Sequence, residues 1–336
     1  MIANMKRKIA IVAGGDSSEY EVSLRSAAGI QSFLSDQQQY HTTIVLLRGQ
    51  DWRAQVGEDE WVVMDKNDFS YVHNGEKQNF DFAYITIHGT PGENGLLQGY
   101  FDMIGLPYSC CGVLAAAMTF NKYTCNHYLK GFGVRVAESV LLRKAKGERR
   151  EERGEDIVEK VGLPCFIKTN VGGSSFGVTK VKTEDEVEPA IAKAFAEGDE
   201  VICEAYMKGV EITCGAYKTK EKAVAFPITE VVTSNEFFDY DAKYNGQVDE
   251  ITPARIPDEV RDEVQALTLK IYDILGCKGI IRVDYILTEN WTINLLEVNT
   301  TPGMTATSFI PQQVRAAGLN IGQVLSEIIE HTLKTK

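Results

Sequence analysis

The chain has 336 residues, 44% of them apolar and 24% charged, with a formal net charge of −12. That length exceeds what one ordinary hydrophobic core supports, so two or three domains are expected. The acidic balance argues against nucleic acid and anionic membrane as partners, because binding phosphate backbones or headgroups needs a basic face.

The seven cysteines are odd in number and form no C-x-x-C pair. Several sit in apolar segments such as Leu163-Pro164-Cys165-Phe166-Ile167, where a thiol behaves as a small core residue. They indicate a reducing, cytoplasmic compartment. Lys6-Arg7-Lys8 followed by Ile9-Ala10-Ile11-Val12 imitates a signal peptide, but the apolar run is short and enters Gly14-Gly15-Asp16. It reads as a first strand. No run approaches the roughly 18 apolar residues of a membrane span.

In chain order, 8–13 is a strand, 21–34 a helix, 42–47 and 80–87 further strands, and 95–104 a short helix. This βαβ rhythm predicts a parallel sheet, with ligands at the carboxyl ends of its strands. A second block follows, with a helix at 122–130, strands at 138–142, 165–169 and 200–206, and a helix at 184–196. The charged stretch from Arg143 to Asp156 reads as a solvated loop running into a helix. Long strands at 211–218, 223–232, 279–287 and 291–297 mark a third block, with helices at 258–275, 311–317 and 320–333. Between them, 233–256 lacks periodicity, and long irregular stretches inside compact domains are often lids.

Neither a Walker A motif nor a dinucleotide fingerprint is present. What remains is Lys168 at a strand end, then Gly172-Gly173-Ser174-Ser175-Phe176-Gly177, then another strand. Glycine lets backbone N–H groups turn toward an anion, although such a segment is a plain β-turn as readily as a phosphate flap. Arg282-Val283-Asp284 on one strand and Glu297-Val298-Asn299 on the next carry more weight. Alternation puts Arg282 with Asp284, and Glu297 with Asn299, on one face of a hairpin. Asp, Glu and Asn converging there suit Mg²⁺, and the competing reading is a surface salt-bridge ladder. Thr301-Pro302-Gly303-Met304-Thr305 then leads into a helix whose exposed N–H groups favour an anion.

With the flap, these segments resemble the ATP-grasp superfamily. Three more narrow the resemblance to the D-alanine–D-alanine ligases: residues 14–23 from Gly14-Gly15-Asp16, residues 88–95 from His88-Gly89-Thr90, and Tyr240-Asp241-Ala242-Lys243-Tyr244. The resemblance runs from residue 14 to residue 311 and implies an α/β fold in three parts. These are an N-terminal parallel-sheet substrate-binding domain (1–117), a central ATP-grasp domain (118–206), and a C-terminal ATP-grasp domain (207–336) with a lid at 233–256. The last two carry mainly antiparallel sheets.

Position by position, the resemblance implies that Lys122 and Lys168 contact ATP phosphates, that Ser174 and Ser175 close over them, and that Glu204 and Glu211 hold the nucleoside. Asp284, Glu297 and Asn299 would bind two Mg²⁺, for which Mn²⁺ can substitute. Glu19 would grip the first D-alanine's ammonium, with His88 nearby, and Arg282 and the Gly303 N–H would stabilise charge at the attacked carbonyl. Ser308 and Lys243 would take the second D-alanine's carboxylate, and Tyr244 would latch the lid with Glu19 and Ser174. The family implies peptidoglycan-precursor synthesis by a homodimer, with D-alanine–D-lactate or D-serine ligases and a non-catalytic nucleotide binder as rivals. Ala205 replaces a common Lys, and Asn121 a frequent Asp.

Overall fold

The computed structural model describes residues 6–144, 154–172, 177–233 and 248–335. The N-terminal sheet contains β1 (Arg7–Gly14), β2 (Tyr40–Arg48), β3 (Asp51–Gln55), β4 (Trp61–Asp65), β5 (Ser70–His73), β6 (Glu76–Gln78) and β7 (Phe82–Ile85). Their order is β6-β5-β4-β3-β2-β1-β7. Only β2, β1 and β7 run parallel. From β2 outward the pairing is antiparallel, a hairpin extension between the expected strands at 42–47 and 80–87.

Ile9 through Ala13 are fully buried because both faces of β1 are covered, as parallel strands require. On one face lies helix α1 (Tyr20–Leu34), on the other α2 (Leu96–Ile104) with an aromatic cluster of Trp52, Phe69, Tyr100 and Phe101. At the carboxyl end of β1, Gly14 and Gly15 both adopt φ near +100° (99° and 96°). A Cβ on Gly14 would strike Leu47 O, and one on Gly15 the Ile87 side chain, so only glycine allows the turn into Ser17–Glu19.

Helix α3 (Val113–Phe120), which the sequence reading missed, leads into α4 (Lys122–Lys130). The second sheet, fully antiparallel, orders as β10-β9-β11-β8 in our numbering: β8 (Ser139–Arg143), β9 (Cys165–Thr169), β10 (Thr179–Val181) and β11 (Glu200–Ala205). Helices α5 (Gly154–Val161) and α6 (Val187–Glu197) cover it around a separate core containing Ile157, Ile167, Val187 and Val201. A 3-10 turn at Glu184–Glu186, closed by a Thr183–Glu186 capping box, takes the place of the first turn expected for α6.

The third sheet is built from β12 (Val210–Lys218), β13 (Ala223–Ala225), β14 (Thr229–Thr233), β15 (Val248–Ile251), β16 (Ile280–Thr288) and β17 (Thr292–Asn299). Its order is β15-β14-β12-β16-β17, with β13 also on β12. The single strand expected over 223–232 is two, separated at Phe226-Pro227-Ile228. Proline brings no N–H to the ladder, so a strand is interrupted there. The end of the stretch expected to be irregular is ordered as β15, paired with β14. Helix α7 (Asp258–Ile274) backs this sheet, and α8 (Phe309–Ala316) and α9 (Ile321–Lys334) end the chain. The last two return to the first sheet. Val314, Leu325 and Ile328 pack with Ile9, Ile11 and Ile30 in one core.

Candidate active site

Loops at the carboxyl ends of β1 and β7, the second sheet and the β16–β17 hairpin enclose a cavity of about 1010 Å³. Its walls include Glu19, His88, Lys122, Lys168, Glu204, Glu211, Arg282, Asp284, Glu297, Asn299, Gly303 and Ser308. Every described residue singled out by the sequence reading therefore faces one space. Ser174, Ser175, Lys243 and Tyr244 lie outside the described residues.

On the hairpin, Asp284 stands opposite Glu297 and Arg282 opposite Asn299, so cross-strand pairing puts all four on one face. The register slips between Asp284 and Tyr285, leaving Leu296 as the extra residue of a β-bulge. Leu295 consequently enters the core while both Leu296 and Glu297 line the cavity. Arg282 donates to both Asp284 oxygens, at 2.9 and 2.8 Å. Thr213 Oγ1 donates to the same carboxylate at 2.5 Å, and Asn299 Nδ2 at 3.0 Å. Burial works against the charge on Arg282, but Asp284, Glu297 and Glu93 outweigh it and hold the guanidinium above its ordinary range.

Asp284, Glu297 and Asn299 offer two carboxylates and an amide, all hard oxygen donors. Among the described residues, no three His, Cys, Asp or Glu side chains gather as a complete metal cage. The donor set fits Mg²⁺, which binds through one or two carboxylates while keeping water and phosphate oxygens.

The second sheet contributes Lys168, ion-paired with Glu204 at 2.5 Å with both side chains largely buried. Burial pulls the ammonium down, yet Glu204, Glu297 and Glu211 more than reverse this, so Lys168 stays protonated. Lys122, at the first position of α4, donates to Gly172 O at 2.7 Å and lies 3.5 Å from Glu297. Two lysines and Arg282 thus face a cluster of carboxylates, which suits a polyphosphate accompanied by a divalent cation. Phe166, Tyr206 and Met207 complete this end of the cavity, and the Lys180 ammonium rests 4.2 Å from the Tyr206 ring centre.

At the opposite end, His88 is buried and both its ring nitrogens have protein partners: Thr301 O at 3.0 Å from Nδ1 and Ser26 Oγ at 3.2 Å from Nε2. Burial holds this imidazole below its usual range, against the pull of Glu19, so it is neutral. A carbonyl can only accept, which fixes the proton on Nδ1. Ser308 immediately precedes α8, and its hydroxyl lies 2.8 Å from Thr305 Oγ1. A Cβ built on Gly303 would be 3.0 Å from that hydroxyl, so Gly303 and Ser308 are immediate neighbours.

The sequence reading passed over three residues here. Glu93 accepts from Gly89 N at 2.7 Å and lines the cavity. Burial, with the charges of Glu19 and Glu297, pushes its carboxyl up to about 8. Its signal lay inside the 88–95 segment. Thr213 is visible only through its pairing with Asp284 across β12 and β16. Ser26 lies on α1, far in sequence from the residues it touches.

Comparison with known proteins agrees with this architecture. A family model described as D-ala D-ala ligase N-terminus matches residues 8–111, and one described as D-ala D-ala ligase C-terminus matches residues 128–330. A D-alanine–D-alanine ligase of Bacteroides fragilis is 67% identical over 327 residues, covering 97% of this chain and 99% of that protein. Among solved structures, D-alanyl-alanine synthetase A from Vibrio cholerae superposes with a TM-score of 0.86 at 28% identity, covering 98% of this chain and 99% of its own. The D-alanine–D-alanine ligase of Bacillus anthracis complexed with ATP gives 0.76 at 28% identity, covering 98% of each chain. The two models span all three sheets that wall the cavity, and on that footing the chain belongs to the D-alanine–D-alanine ligase family.

Proposed function

We propose that this chain joins two molecules of D-alanine into D-alanyl-D-alanine at the expense of ATP, for peptidoglycan precursor synthesis. The observation that carries the reading is the convergence of cationic Lys122, Lys168 and Arg282, acidic Asp284 and Glu297, and the Glu19–His88 loops on one cavity. A carboxylate is a poor electrophile, so it must be activated before an amine can attack it. The carboxylate of the first D-alanine attacks the γ-phosphorus of ATP, releasing ADP and leaving D-alanyl phosphate. The amine of the second attacks the acyl carbon, inorganic phosphate departs, and the nitrogen gives up a proton.

Phosphoryl transfer needs placement and charge neutralisation more than covalent help. Lys122 and Lys168 would bind the phosphates, and Glu204 and Glu211 the nucleoside. The Lys168–Glu204 pair then has to open to admit ATP. Asp284, Glu297 and Asn299 would hold Mg²⁺, which when bound neutralises charge on the triphosphate. Glu19 would orient the first ammonium, and Arg282 with the Gly303 N–H would stabilise charge at the acyl oxygen. Ser308 would receive the second carboxylate. The family resemblance adds Ser174, Ser175, Lys243 and Tyr244 to the flap and lid. It also supports reading 1–117, 118–206 and 207–336 as the three domains.

The family's homodimer is supported by exposed apolar side chains on α2 and α3. Leu96 and Met103 lie seven residues apart on one face of α2 and are 63% and 82% exposed, and Leu114 at the start of α3 is 74% exposed. Sedimentation should give a dimer that Met103→Lys with Leu114→Lys weakens; a wild-type monomer at micromolar concentration rules it out. The decisive test of function is phosphate release that requires ATP and D-alanine together, with the product identified by mass. ATP turnover indifferent to D-alanine, or efficient coupling to D-lactate at pH 7, would overturn the assignment.

A further inference from the structure

We propose that Ser26 is a positioning residue for this reaction: a buried hydroxyl on α1 that, with His88, fixes the backbone of residues 301–304. The inference rests on the ligase reading above. Ser26 is fully buried. Its Oγ accepts from Met304 N at 3.2 Å and lies 3.2 Å from His88 Nε2. His88 Nδ1 in turn reaches Thr301 O at 3.0 Å. Because that carbonyl takes the imidazole proton at Nδ1, Nε2 is an acceptor and Ser26 is its donor.

The contacts close a ring. Thr301-Pro302-Gly303-Met304 is held at its first carbonyl by His88 and at its last N–H by Ser26, with Gly303 between the two pins. One turn further along the same helix face, a Cβ on Gly29 would overlap Met304 O, so α1 is shaped to seat this backbone. Gly303 lines the cavity where the acyl oxygen is to be bound, and its N–H has no acceptor among the described residues. An N–H that stabilises developing charge works only when its position is set before the reaction, and a hydroxyl that accepts and donates at once sets it. Alanine loses both contacts, while cysteine keeps the volume with a weaker donor and acceptor.

A serine that merely satisfied the core would affect stability and leave turnover alone, so the readout is the split between kcat and KM. With wild-type, Ser26→Ala and Ser26→Cys chains, phosphate release is measured at saturating D-alanine while ATP is varied. Ser26→Ala should lose roughly 10–100-fold in kcat, with KM for ATP within about twofold of wild type. Ser26→Cys should fall between that variant and wild type. The proposal is overturned if Ser26→Ala turns over at the wild-type rate, or if its KM for ATP rises in step with the fall in kcat. Should Ser26→Ala not fold, Ser26→Cys decides alone: reduced kcat at unchanged ATP KM upholds the proposal, and wild-type kcat refutes it. A wild-type chain that releases no phosphate on adding D-alanine sinks the ligase reading instead, so the two failures are distinct.

Discussion

Glu297 faces Asp284 across the hairpin and keeps a quarter of its side chain exposed, so its charge is held for chemistry more than for packing. Glu297→Gln preserves shape and removes one of two carboxylates. We expect kcat to drop by about 10²–10³-fold with an unchanged melting temperature, and near-normal turnover would exclude the role. Glu93 leads to a prediction of a different kind. Its carboxyl sits at about 8 in the fold against an ordinary 4.5, so the folded chain holds the proton more tightly than the unfolded one. That contribution is complete below about pH 4.5 and is lost as pH rises toward 8. Denaturant midpoints of the ligand-free protein should therefore fall across this window relative to Glu93→Gln, whose side chain does not titrate; parallel curves would refute it. These two residues also differ in how the sequence reveals them. Glu297 ends an apolar strand beside Asn299, a local oddity that invites a functional reading. The property that matters in Glu93 comes from burial beside Glu19 and Glu297, which no local pattern encodes. Ser26 resembles any small residue on a buried helix face until its partners, 62 and 278 residues away, are known.

Elements were legible where periodicity was strong, as in α1, α4 and strands β12, β16 and β17 of the third sheet. Helix α3 was not, because Val-Leu-Ala-Ala-Ala-Met-Thr-Phe is apolar almost all round and shows no polar face. Strands β3 to β6 are short and partly polar, as in Asp51–Gln55, and only pairing with neighbours defines them. The bulge in β17 shows in the burial pattern and not in the sequence. Leu295 and Val298 are both buried, and an odd separation cannot keep two residues on one face of a regular strand. The departure at Asn121 also has a local physical reason. Its side chain accepts from Thr124 N at 2.9 Å as the cap of α4, and its amide reaches Glu200 at 3.3 Å. Aspartate could cap but could not donate, and its charge would oppose Glu200. Asn121→Ala should cost about 1 kcal/mol through loss of the cap. Asn121→Asp should also destabilise, and the more so at low salt; a stabilised aspartate variant would show that Glu200 plays no part.

At the scale of the molecule, the chain's two ends share one core. Helix α9 lays Val324, Leu325, Ile328 and Ile329 against the same cluster as Ile9 and Ile11 of the first sheet and Ile30 of α1, and Tyr217 of β12 and Phe226 between β13 and β14 join it. Domain order along the sequence is thus not the order of packing, and the βαβ rhythm could not show that the covering helix comes last. The consequence is cooperative: the first sheet cannot keep its α1 face dry without the final helix. Ile328 is 2% exposed, so Ile328→Ala removes buried methyl and methylene groups and leaves a cavity, a change costing about 2–5 kcal/mol. Trp52 and Trp61 report on the first sheet, and in a Trp291→Phe background they are the remaining tryptophans. Their fluorescence transition in denaturant should move to lower concentration when Ile328 is replaced, although the substitution lies more than 260 residues away in sequence. If that transition stays fixed while only the melting of the C-terminal region shifts, the shared core does not couple the two ends, and the first sheet is an independent folding unit.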